Sequence, residues 1–319
     1  MRQRELGATG HEVGAIGLGC MGMSWGYDEG KRDDAVSAAV IREAIDSGVT
    51  FLDTADVYGD GHNERLVGGA LAGRRDEVVL ATKCGLVVDD LATRSMHRDG
   101  SPERIRAAVE ASLRRLGTEH IDLYYLHRVD PEVPLADTWG ALAELVEQGK
   151  VRWLGLSEVD TEQAAAAHAQ HPVTAIQSEL SLWTADAVEN GVLDWCFANG
   201  AAFVPFAPLG RGFLAGAVGG PGDFESSDFR STNSRFAAEA WEHNRRIVDV
   251  IERVAARHGA TGAQIAIAWT ASRGPHVLPI PGTKRSTYLR DNVGAADVEL
   301  TAVDLAELDA VPAPVGTRY

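Results

Sequence analysis

Residues 101–127 read SPERIRAAVEASLRRLGTEHIDLYYLH, and this one stretch carries both periods of secondary structure. Its first part is helical: Ser101 suits an N-cap, Pro102 the first helical position, and Ile105, Ala108, Val109, Leu113 and Leu116 return to one face before Gly117 closes the helix. After a short turn, IDLYYLH from Ile121 is an apolar run of strand length that ends on His127. Upstream, VVLATK from Val78 is another such run, ending on Lys83. A strand, a helix and a second strand form the crossover unit of a parallel sheet.

The same alternation runs outward in both directions. Further strand-like runs are GAIGLG near Ala15, TFLDTA near Phe51, RWLGLS from Arg152, TAIQSE from Thr174, AAFVPFAP from Ala201 and HVLPIPG from His276, which makes eight in all. Between them Leu135, Trp139, Leu142 and Val146 step round a helix ending at Gly149; Ile247, Val250, Ile251 and Val254 make another, and Thr261 with Gln264 forms a capping box for a third. Eight such units read as a (β/α)8 TIM barrel, one domain over residues 1–319. Gly7, Thr9, Gly10 and Gly14 punctuate an N-terminal β-hairpin before the first barrel strand, and residues 86–99 and 212–241 are long loops for the C-terminal face.

One motif points elsewhere. Gly17-Leu18-Gly19-Cys20-Met21-Gly22 spells the G-x-G-x-x-G of a Rossmann dinucleotide site, which requires a helix starting at its third glycine. The following MSWGYDEGK is not helical, and a helix becomes plausible only near Asp33, so the run reads as a tight glycine turn at the top of a strand.

Barrel chemistry sits at the C-terminal ends of the strands. There Asp53 ends the second run with Tyr58 in its loop, Lys83 ends the third and His127 the fourth. A strand-end lysine that is partly buried needs a carboxylate, which Asp53 on the neighbouring strand supplies. Lys83 beside Tyr58 should lower the phenol's pKa toward working pH and prepare it to protonate a developing alkoxide, with His127 orienting a carbonyl oxygen. Singly, each residue also has a structural explanation: an ion pair, a loop aromatic, a hydrogen-bonded strand-end histidine. Trp25 could line a substrate pocket, whereas Trp183 and Trp241 are as readily core, and His62, His97, His168, His171 and His243 lack ligand spacing and read as surface.

FLDTADVYGDGHNERLVGGAL, ATKCG, RIRAAVEASLRRLGTEHIDLYYLHRVD, GKVRWLGLSE, AIQSELSLW, FAPLGRGFL and IPGTKRSTYLRDNV resemble, in order and across nearly the whole chain, the aldo-keto reductase family. The resemblance implies a barrel that binds NADPH without a Rossmann fold and reduces an aldehyde or ketone by hydride transfer. It places the family's tetrad on Asp53, Tyr58, Lys83 and His127. It assigns Ser157, Glu158 and Gln177 to the nicotinamide carboxamide, Phe206 to the stacking aromatic, and Pro208, Leu209, Gly210 and Arg211 to the pyrophosphate loop. Gly282, Thr283, Lys284 and Arg285 fall on the 2′-phosphate segment, Asp291 and Asn292 on the adenine contacts, and Gly22 and Met23 also on the cofactor site. Glu158 stands where much of the family has Asn, and Phe206 where a tyrosine is more usual. Two rival functions remain at this stage: a Schiff-base aldolase using Lys83, and a cofactor-sensing subunit with little turnover.

The 319 residues are 45% hydrophobic and 24% charged, an ordinary globular composition. Thirty Lys and Arg against 46 Asp and Glu leave a net charge of −16, which disfavours nucleic acid and anionic membranes as partners. A small carbonyl substrate is the expected partner. Cys20, Cys84 and Cys196 are isolated from one another and from any His cluster, which argues against a metal site and a disulfide framework. With no apolar leader or membrane-length segment in the sequence, a cytoplasmic location is expected.

Overall fold

In the computed structural model, which describes residues 1–318 except Asp28, Ala217, Ser226 and Ser227, the eight runs wind into a barrel. A hairpin, β1 (Gln3–Glu5) and β2 (Glu12–Gly14), precedes it, paired antiparallel as the glycine spacing anticipates. The barrel strands are β3 (Leu18–Gly19), β4 (Phe51–Asp53) and β5 (Val79–Cys84), then, after a two-stranded ribbon of β6 (Leu86–Asp90) and β7 (Ser95–Arg98), β8 (Ile121–Leu126), β9 (Val151–Ser157), β10 (Ala175–Glu179) and β11 (Ala202–Phe206). Seven of them form one parallel sheet in the order β11-β10-β9-β8-β5-β4-β3.

Residues 276–282 close it. Leu278 N and Ile280 N donate to Phe203 O and Pro205 O of β11 at 2.8 and 3.1 Å, while Gly17 N and Gly19 N of the first run donate to Pro279 O and Pro281 O at 2.8 and 3.4 Å. Alternate residues of a strand face opposite neighbours, so the two prolines fall on the β3 side, where they accept but have no N–H to return. The eighth strand is therefore present as a half-ladder. Gly19 lets it approach, because a Cβ there would stand 2.9 Å from Ile280 O.

Strand alternation separates two apolar layers. Val79, Ala81, Leu123, Tyr125, Ala175, Ala202, Val204, Leu278 and Ile280 fill the barrel, with Leu6 and Val13 of the hairpin joining their cluster. Leu80, Tyr124, Leu126, Leu154, Leu156, Ile176 and Phe203 pack outward in the cluster shared with the helices. The helices begin and end where their caps direct: Ser101 Oγ accepts from Arg104 N and Gly117 is left-handed around Pro102–Leu116, and the Thr261/Gln264 capping box opens Gly262–Ala271. The G-x-G-x-x-G run leads into a three-residue 3-10 turn, Met21–Met23, and the next α-helix is Asp34–Asp46 capped by Asp33. No Rossmann unit forms.

Two loops hold more structure than expected. Residues 86–99 contain the β6–β7 ribbon, and residues 212–241, of which Ala217, Ser226 and Ser227 lie outside the described residues, contain the 3-10 turns Phe229–Thr232 and Ser234–Phe236. Helix Ala238–His258 begins before Trp241, whose ring meets Phe213 edge-on at 5.2 Å. No helix of the described residues is long and apolar enough to cross a membrane.

Candidate active site

The inward parity of the strands chooses the site. Positions 79 and 81 point into the barrel, so Lys83 does too; Asp53 continues the row of Phe51, His127 the row of Leu123 and Tyr125, Gln177 that of Ala175, and Phe206 that of Ala202 and Val204. At the mouth these rows run out of hydrocarbon and end in polar or aromatic groups.

Lys83 is the centre. Its side chain is fully buried, and Nζ donates to Asp53 Oδ1 at 2.5 Å, to Thr54 O at 2.8 Å and to Tyr58 Oη at 3.2 Å. An ammonium has three protons, and here each has an acceptor. Asp53 Oδ2 accepts from Gln177 Nε2 at 2.8 Å, a contact across the barrel between residues 124 apart in sequence. Burial pulls the Lys83 pKa down, but Asp53 and then Tyr58 more than offset it, so the amine is held above its ordinary value and stays charged. A charged amine with all protons committed is no Schiff-base nucleophile, which removes the support for the aldolase reading.

Tyr58 is carried on a turn built for it. Thr54 Oγ1 donates to Asn63 Oδ1 at 2.6 Å, and Asn63 Nδ2 donates to Cys20 O and Ser24 Oγ at 2.8 and 2.7 Å. Gly59, Asp60 and Gly61 all have positive φ, turning the chain sharply into helix His62–Ala70. The Tyr58 ring lies edge-on to His127, centroids 5.9 Å apart, and 6.1 Å from Trp25. Trp25, Ala55, Val57 and Tyr58 form one small apolar cluster with Met21, Leu86 and Val88 against it, so the first loop and the β6–β7 ribbon flank Tyr58 at the mouth.

The expected fall in the Tyr58 pKa is corrected. Burial raises it, and Lys83, which does pull it down, does not win. The phenol thus keeps its proton at neutral pH. Its oxygen accepts from Lys83, so that proton is left to be donated to another group. His127 is buried, with Nδ1 unpartnered among the described residues, and burial followed by the Lys83 and Arg128 charges pushes its pKa well below 6.5. It is a neutral imidazole.

The residues assigned to a cofactor ring the same mouth, with several already engaged. Gly22 and Met23 lie in the turn after β3, and Ser157 Oγ, at the end of β9, accepts from Arg128 Nη1 at 3.1 Å. Glu158, with φ of 56°, accepts from Glu179 N through Oε1 and pairs with Arg318 through Oε2 at 2.7 Å. Phe206 lies under the Arg318 guanidinium, 5.7 Å from ring centroid to Cζ. Pro208, Leu209 and Gly210 lead into the 3-10 turn containing Arg211, whose guanidinium reaches Glu179 Oε2 at 3.3 Å and Arg318 O at 3.0 Å. Arg211, which the resemblance assigns to the pyrophosphate loop, holds its guanidinium against the buried Glu179 carboxylate. Gly282 bridges Gly19, Lys284 Nζ donates to Tyr27 O at 3.1 Å, and Asp291 Oδ1 accepts from Thr261 Oγ1 at 2.8 Å, with Asn292 buried beside it on helix Ser286–Gly294. Thr283, Lys284 and Arg285 immediately precede that helix, whose N-terminus has no side-chain cap. Two cations and uncapped amides suit a phosphate.

Glu179, Arg318 and the carbonyl of Thr54 join the site without having been anticipated. Arg318 bonds Glu179 at 2.7 Å, and a cavity of about 310 Å³ opens beside Glu158, Ser178, Glu179 and Arg318. The inward parity of position 179's neighbour Gln177 pointed to this strand end; nothing local in the tail pointed to Arg318. His62, read as surface, instead bridges Ser24 Oγ at 2.8 Å and Asp34 Oδ2 at 2.9 Å.

Comparison with known proteins gives one consistent result. The model of the Aldo/keto reductase family matches residues 15–313. A probable aldo-keto reductase 1 of Glycine max is 44% identical, covering 99% of this chain and 91% of that protein. The glycerol dehydrogenase of Gluconobacter oxydans superposes with a TM-score of 0.87 at 29% identity, over 97% of this chain and 94% of that one. An aldo/keto reductase of Klebsiella pneumoniae, solved with NADP and acetate, gives 0.75 at 28% identity over 99% and 97%.

Proposed function

The chain belongs to the aldo/keto reductase family, and from that premise we propose that it is an NADPH-dependent reductase of aldehydes or ketones with Tyr58 as the proton donor. The observation that carries the reading is the division of the Lys83 protons among Asp53, Thr54 O and Tyr58 Oη inside the barrel mouth. Bound NADPH would supply the hydride that reaches the carbonyl carbon. Ser157, Gln177 and Phe206 would hold its nicotinamide end, and Gly282, Thr283, Lys284 and Arg285 its phosphates. The NADP complex of the Klebsiella pneumoniae relative supports that cofactor.

Tyr58, protonated across neutral pH, passes its proton to the substrate oxygen as negative charge develops there. The phenolate left behind stands 3.2 Å from the Lys83 ammonium, which stabilises it more than it stabilised the neutral phenol. Asp53 keeps that ammonium charged and in place. Neutral His127 donates an N–H to the same oxygen and fixes its position without adding charge. Trp25, Met21, Leu86 and Val88 present an apolar wall that limits water at the reacting carbonyl.

The test is NADPH oxidation by wild type and Tyr58→Phe over a panel of small aldehydes and ketones. Removing the acid should lower kcat by about 10²- to 10⁴-fold, with NADPH affinity by fluorescence titration within about twofold. A Tyr58→Phe enzyme turning over within a fewfold of wild type would overturn the assignment, and tight NADPH binding without turnover across the panel would favour a sensing subunit.

A further inference from the structure

Arg128 follows His127 at the C-terminal end of β8, and the proposed mechanism leaves it without a task. Its Nη1 donates to His127 O at 2.6 Å and to Ser157 Oγ at 3.1 Å, which anchors one edge of the guanidinium between β8 and β9. The opposite edge, Nε and Nη2, carries the side-on pair of N–H groups that matches a carboxylate, and it has no partner among the described residues. Four other cations at the mouth have carboxylates: Lys83 has Asp53, Arg211 has Glu179, Arg318 has Glu158 and Glu179, and Arg94 has Glu29. In a chain of net charge −16, a half-buried guanidinium with no carboxylate partner among the described residues is poised for an anion from outside.

Position says which anion. Round the barrel β8 is fourth and residues 276–282 are eighth, so Arg128 lies diametrically across the mouth from Lys284 and Arg285, where the phosphates of a dinucleotide are placed. It is instead next to the catalytic rings, and its charge helps to pull the pKa of both Tyr58 and His127 down. We propose that Arg128 determines specificity by receiving a carboxylate carried by the carbonyl substrate, so that short oxo acids and carboxylated aldehydes are the preferred class. The proposal rests on the reading of the protein as a carbonyl reductase.

The experiment compares succinic semialdehyde with butanal, and 4-carboxybenzaldehyde with 4-methylbenzaldehyde, in wild type, Arg128→Gln and Arg128→Lys, with NADPH affinity measured alongside. The readout is the ratio of kcat/KM for each carboxylated substrate to that for its uncharged partner, from which any effect on the shared chemistry cancels. Loss of a charge-assisted pair should lower that ratio about tenfold to a hundredfold in Arg128→Gln, through KM, with partial recovery in Arg128→Lys. Wild type alone should show the lower KM for the carboxylated member, which keeps the test available if a variant does not fold. A ratio unchanged within about twofold, a wild-type KM favouring the uncharged member, or a loss confined to NADPH affinity overturns the proposal. Turnover of uncharged carbonyls without carboxylate discrimination refutes this inference alone; absence of turnover with every carbonyl refutes the reductase reading beneath it.

Discussion

Asp53→Asn removes the negative charge that keeps Lys83 ionised inside the barrel, and the consequences follow from three contacts. Asp53 takes Lys83 Nζ on one oxygen and Gln177 Nε2 on the other. Asparagine has a single acceptor oxygen, so one of these buried donors loses its partner and the ammonium loses its counter-charge. Breaking a buried pair by removing one member costs about 3–5 kcal/mol. With an unfolding entropy of about 2.1 cal/mol/K per residue, a chain of 319 residues should lose about 5–8 °C in Tm. The pH dependence has a defined sign. In wild type the Lys83 pKa lies above its ordinary value, so its contribution is complete below about pH 10 and is lost only as pH rises through the folded value. In Asp53→Asn burial loses its main opponent, with only Tyr58 still raising the value, and the folded pKa drops below the unfolded one. Between those two values the unfolded chain binds the extra proton, and the variant gains stability as pH rises. Urea unfolding followed by tryptophan fluorescence from about pH 6 to 9 should therefore show a stability gap that narrows toward alkaline pH. A gap below about 1 kcal/mol at neutral pH, or one that widens with pH, would refute the buried ion pair as the centre of the site.

Two further outcomes are expected. The pH profile of kcat/KM should be flat from about pH 6 to 9 and fall only above the ordinary phenol value of about 10, because Tyr58 must keep its proton and burial raises its pKa, while His127 is already neutral; an acidic limb centred between about pH 6 and 7 would show His127 titrating. Replacing Lys284 and Arg285 together by alanine should raise the Kd for NADPH by about tenfold to a hundredfold and leave that for NADH within about threefold, and equal losses for both would detach the pair from the 2′-phosphate.

Much of this architecture is written locally. The caps at Ser101, Gly117 and Thr261 and the period-2 rows ending on Asp53, Lys83 and His127 are short-range signals, and the inward parity of those rows is what brings these three side chains together. What the sequence hides is set by pairing across the barrel. The eighth strand is only half a ladder because Pro279 and Pro281 cannot donate, a fact that matters only once their neighbour is known. Gln177 reads as a nicotinamide contact, yet in the fold it also steadies Asp53 from the far side of the barrel. The direction of the Tyr58 shift depends on how completely the loop and Trp25 bury the ring, which neighbouring charges do not reveal. Arg318 is invisible in the same way: a tail of low periodicity is positioned by hydrogen bonds to Arg211, Asn233, Ser234 and Asn244, which carry it to Glu158 and Glu179.

The proposed function has a carbonyl carbon receive hydride at the mouth of this barrel while Tyr58 supplies the proton. NADPH carrying deuterium at both nicotinamide C4 positions, consumed with an aldehyde in ordinary water, tests it by mass spectrometry of the alcohol. Deuterium is expected on the carbinol carbon of the alcohol formed by wild type, with that product lost in Tyr58→Phe. An alcohol without label, or labelled alcohol formed equally fast by Tyr58→Phe, would contradict it.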